Sequence, residues 1–94
     1  MKILGYEYAV DQSLPYDQIG TFGRCNTKEL LIQIASDINP QQQTSTMIHE
    51  ALEAIICHLE LQVPHNEIMA IEAGMYQFLI DNGVDLTPLL GKPE

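Results

Sequence analysis

The residues with the most chemical content lie in Met47-Ile48-His49-Glu50-Ala51-Leu52-Glu53-Ala54-Ile55. On a helix, positions four apart share a face with Cβ atoms about 5–6 Å apart, so His49 and Glu53 can reach a single cation. Glu50 sits one step round the helix, beside such a cation but off the ligand axis. That is the place for a carboxylate that takes a proton from an attacking water. Further on, His65 and Glu72 are separated by two helical turns and share a face, about 20° apart around the axis. If the two helices pack antiparallel, Glu72 comes against His49 and Glu53. Three protein ligands with one position open to water then make a catalytic rather than a closed structural site. His65 is a further nitrogen donor, whereas His58 faces roughly 140° away from Glu53. The alternative for the whole set is a polar helix face turned to water, and for His65 a capping or surface role beside Pro64. Glu72, flanked by Ile71, Ala73 and Met75, is costly to bury without a cation, a donor or water.

The elements that position these groups follow from periodicity. Alternation over 2–10 reads as a strand, with Leu4, Tyr6, Tyr8 and Val10 on one side. A polar, proline-broken surface loop follows from Asp11 to Gln18. Strands over 21–25 and 29–35 flank Asn26-Thr27-Lys28, a connection of hairpin length. Asn39-Pro40-Gln41-Gln42 then starts a helix, with Asn as cap, Pro at the first position and Gln42 completing a capping box. It runs over 40–61 along a seam of Ile48, Leu52, Ile55 and Leu59. A second helix over 65–82 buries Ile68, Ile71, Met75 and Phe78 or Leu79, and Asn82-Gly83 provides a left-handed stop. Met47, Met69 and Met75 read as core filling. The tail over 84–94 holds two prolines and is expected along the surface. The fold class is α+β: a small antiparallel β-meander followed by two long packed helices, in a single domain over 1–94.

Composition bounds the function. The chain has 94 residues, of which 46% are hydrophobic, enough for one core but not for several. Four Lys and Arg stand against thirteen Asp and Glu, a net charge of −9, which excludes binding to nucleic-acid phosphates and disfavours anionic membranes. No apolar run approaches the length of a bilayer span, and residues 1–5 carry no signal-peptide pattern. A cytoplasmic protein is expected, with Cys25 and Cys57 as reduced thiols and Cys57 as a small core residue.

Thr44-Ser45-Thr46-Met47-Ile48-His49-Glu50-Ala51-Leu52-Glu53-Ala54-Ile55, followed by Glu72-Ala73-Gly74-Met75-Tyr76, resembles the active-site and glutamate helices of small zincin metallopeptidases of the gluzincin type. It is also similar to a group of short proteins encoded by phages and prophages. The likeness covers residues 30–82, the strand before the first helix matching the sheet edge above a zincin cleft. It implies His49 as first zinc ligand, Glu50 as general base and Glu72 as distal ligand, with Tyr76 one turn further on donating to an oxyanion. The chain departs from HExxH in carrying Glu53 in place of the second histidine, an HExxE. A carboxylate binds zinc, but two anionic ligands donate more charge and weaken the acidification of water. The change also widens the metals that fit to manganese and iron.

Two functions compete on this reading. One is a metal-binding zincin-like protein, a minimal metallopeptidase with weak or lost turnover on a protein or peptide. The other is a small acidic, phage-type protein that blocks a basic surface of a host protein and uses the fold only as a scaffold. A homodimer through the helix seam or a strand edge is compatible with both.

Overall fold

The structure, a computed structural model, describes residues 1–90. Its N-terminal stretch is not the continuous strand expected over 2–10. Leu4 and Gly5 take positive φ, 52° and 85°, as in the tight turns that join hairpin strands. Lys2–Ile3 (β1) therefore folds back on Tyr6–Glu7 (β2) as an antiparallel ribbon, and Ala9–Asp11 (β3) belongs to a different sheet. The alternation is present, but a left-handed leucine in its middle breaks it.

Gly23–Asn26 (β4) and Leu31–Ile34 (β5) form the expected antiparallel hairpin. β3 joins β5 in parallel, so the sheet is mixed, ordered β3-β5-β4 with β5 in the centre. The crossover from β3 contains one helical turn, Tyr16–Ile19 (α1), within the segment expected as loop. Period-two alternation leaves Ile32 and Ile34 fully buried, in a core shared with Met47 and Ile48 of Pro40–His58 (α2). The sheet and α2 approach closely at Gly23. A Cβ there would meet Thr46 Cγ2 at 2.5 Å and the Gln33 carbonyl oxygen at 2.9 Å. Gly23→Ala is therefore expected to cost about 1–3 kcal/mol through overpacking. Urea unfolding measures this, and an unchanged midpoint would contradict the close approach.

α2 starts as its sequence predicts, with Asn39 Oδ1 accepting the Gln42 N–H at 2.9 Å and Pro40 at the first position. It ends earlier than expected, at His58. Glu60 turns left-handed, φ 55°, and the Leu61 N–H closes on the Ile56 carbonyl at 3.0 Å. Leu59 thus lies beyond the helix and is exposed, while Ile48 is buried and Leu52 and Ile55 pack against the core. The second long helix, His65–Asp81 (α3), stops through Gly83 at φ 75°, where the Val84 N–H reaches the Leu79 carbonyl at 3.0 Å.

α3 packs by a different stripe from the one expected. Ile68 is buried and Glu72, Tyr76 and Leu79 are half-buried, whereas Ile71, Met75 and Phe78 face outward, Phe78 being 65% exposed. Met69 and Met75 are likewise exposed, and of the three methionines assigned to the core only Met47 is there. Two neighbouring stripes of this helix are apolar, so period alone does not choose between them. The tail is the last difference. Thr87–Leu90 forms a 3₁₀ turn, Leu86 and Leu90 enter the core, and the Gln12 side-chain amide donates to the Leu90 carbonyl. The expectation for 91–94 lies outside the described residues. Among the described residues no helix is long and apolar enough to cross a membrane.

Candidate metal centre

A cleft of ≈ 760 Å³ opens between β4, α2 and the start of α3. His49 and Glu53 project into it from successive turns of α2, as their spacing dictates. His65, the first residue of α3, meets them there, its ring 5.4 Å from that of His49. One donor atom from each of His49, Glu53 and His65 lies within 4.8 Å of the others, so the three can hold one ion. His49 and Glu53 are half-buried and His65 is exposed.

Glu72 sits on the other side of the His49 ring from this group. Its Oε1 lies 2.7 Å from His49 Nδ1, while His49 Nε2 faces Glu53 Oε2 at 3.4 Å. A carboxylate only accepts hydrogen bonds, so the His49 Nδ1–H donates to Glu72, while Nε2 lies on the side of Glu53. A carboxylate behind a histidine in this way fixes its ring and raises the basicity of its free nitrogen. Glu72, expected as the distal ligand, thus meets the His49 ring directly and is not in the converging group of His49, Glu53 and His65. His65, on the first turn of α3, comes back over α2 and completes that group. The contact with His49 also accounts for the half-burial of Glu72, which has the donor that its apolar flanks demand.

Glu50 lies one residue from His49, only 7% exposed, and it lines the same cleft. Burial lifts its carboxyl to about 7; the charge of His49 opposes this, and Glu53 and Glu72 add to it. No hydrogen-bond donor among the described residues meets this carboxylate. A carboxyl poised near neutrality beside an open cleft is suited to accepting and returning a proton.

Tyr76 is placed elsewhere: it is half-buried, packs against the hydrophobic core and does not line the cleft. His58 faces the N-terminal ribbon, stacked on Tyr6 at 4.4 Å and hydrogen-bonded through Nε2 to the Tyr8 hydroxyl at 2.6 Å. Sequence reasoning missed the opposite wall of the cleft, where Phe22, Gly23, Arg24 and Cys25 run consecutively. Only the strand spacing of this segment marks it, because Cys25 is its one side chain with metal-binding chemistry and a lone cysteine carries little signal.

The two thiols are both free. Cys57 is exposed at the end of α2, not in the core, because the helix face carrying His49 and Glu53 continues through it toward water. Cys25 is half-buried, and burial, with the charge of Glu50 next, lifts its thiol to about 11. Iodoacetamide at pH 8 is expected to label Cys57 well before Cys25, as read by peptide mapping. The reverse order would contradict this placement.

The comparisons with known proteins return nothing: no family model, no curated protein and no solved structure matches this chain.

Proposed function

We propose that the protein holds one zinc ion through His49, Glu53 and His65 and acts as a minimal metallopeptidase on extended peptides. The observation that carries this reading is the arrangement around His49. Its Nδ1 is gripped by Glu72 at 2.7 Å and its Nε2 faces Glu53 Oε2 at 3.4 Å, in a group of donors that includes His65. Two imidazoles and one carboxylate fit zinc with a fourth position open, and they suit iron or manganese as well. With His65 in place of Glu72 the donor types are those of the zincins that the sequence resembles. The surplus anionic charge implied by HExxE is thereby removed.

Zinc bound there supplies Lewis-acid chemistry, acidifying a water and polarising a peptide carbonyl. The chain's own residues do the rest. Glu50 takes the proton of the attacking water and returns it to the leaving amine, which its position near neutrality favours. Glu72 holds His49 in one tautomer. The peptide is aligned by β4, the edge strand of its sheet. The Phe22 carbonyl accepts the Ala35 N–H just beyond the end of β5, so by alternation Arg24 and Asn26 also bond inward, and Gly23 and Cys25 present N–H and C=O groups outward. Those groups line the cleft and can pair with an added strand. Two free thiols support a cytoplasmic location. The competing role as an acidic blocker of a basic surface is supported by the net charge of −9 alone.

Zinc titration of protein purified without a metal-affinity tag tests this function. Binding of about one ion per chain is expected, from the one group of donors that converges among the described residues; no binding overturns it.

A further inference from the structure

We infer that β4 selects peptides with an acidic side chain at one fixed position, read by Arg24. This rests on the proposal that peptides lie along β4. The chain has thirteen acidic residues, yet among the described residues none pairs with Arg24. Its Nε donates to the Gln33 side-chain oxygen directly across the hairpin. That bond orients the guanidinium and leaves its terminal N–H groups free, the fork that a carboxylate accepts in bidentate fashion.

Side chains alternate along β4. Gly23 and Cys25 turn toward α2, as the contact of residue 23 with Thr46 and the burial of Cys25 show. Arg24 therefore lies on the outer face, where a second groove of ≈ 550 Å³ also carries Lys28 and Glu29, the latter held by the Asn26 side-chain amide at 3.2 Å. A strand added to β4 alternates in the same way. Its residue opposite Arg24 projects to the outer face, with Cβ atoms about 4.5–5.5 Å apart, where opposite charges attract. The residues on either side project toward Glu50 and Glu53, where a second acid is repelled. The selection is thus confined to one register position and is reversed at its neighbours.

The test uses short acetylated, amidated Thr/Val peptides with Glu, Gln or Lys placed at each position in turn. Their binding to the zinc-loaded protein is read by fluorescence anisotropy. At one position Glu is expected to bind about fivefold tighter than Gln, the scale of an exposed ion pair. Arg24→Gln removes the preference, and Arg24→Glu converts it to a preference for Lys. No Glu preference at any position, a preference that survives in Arg24→Gln, or no peptide binding each overturns the inference. Zinc content of the same samples separates the two proposals. Peptides bound without preference by zinc-loaded protein refute only the role of Arg24. Protein lacking zinc refutes the metal centre, while the peptide preference is still read, because Arg24 and β4 stand outside the cation group.

Discussion

Glu50→Gln is expected to lower peptide hydrolysis by about 10²–10⁴-fold, the usual contribution of a positioned general base, while raising the stability of the metal-free protein at pH 8. The two effects have opposite signs because one carboxylate causes both. Burial places the folded-state pKa of Glu50 at about 7, above the ordinary 4.5. Below about 4.5 the group is protonated in both folded and unfolded chains and contributes nothing. As pH rises from there to about 7, the unfolded chain releases its proton first, so stability falls. Above about 7 the cost is fully present, at most about 3 kcal/mol. Gln removes the charge, so urea unfolding should show wild type and variant of similar stability near pH 4 and separated above pH 7. A gap that is constant across this range would show that Glu50 is not a buried acid in the folded state.

The second large effect concerns the metal. Glu72→Gln should weaken zinc binding by about 10–100-fold, the usual cost of losing the carboxylate behind a ligating histidine. His49→Ala should weaken it further, because it removes the donor itself. Competition with a chromogenic zinc chelator gives both affinities. The ranking is the informative part. If Glu72→Gln abolishes binding and His65→Ala leaves it intact, Glu72 is a ligand after all, and the division of roles around His49 is wrong.

Much of the arrangement is legible in local chemistry. The Asn39-Pro40 start of α2, the Asn82-Gly83 stop of α3 and the shared face of His49 and Glu53 depend on neighbours a few residues apart. For these the sequence alone specifies the geometry. What is not legible depends on long-range choices. α3 has two adjacent apolar stripes, and the pairing of Glu72 with His49 accompanies the use of one of them, leaving Ile71, Met75 and Phe78 outside. The left-handed Leu4 hides a hairpin inside an alternating run. Leu86 and Leu90 lie in a proline-containing tail with no periodicity, yet they close the core. His65 is visible as a spare donor, but its convergence with His49 and Glu53 depends on where the first turn of α3 lands relative to α2, which no spacing encodes.

X-ray absorption at the zinc edge of the loaded protein addresses the metal centre most directly. The proposed ligands predict a first shell of nitrogen and oxygen at about 2.0–2.2 Å, with outer-shell scattering from two imidazole rings that falls to one in His65→Ala. A sulfur shell at about 2.3 Å, placing Cys25 or Cys57 on the ion, or a shell without imidazole scattering, would contradict it.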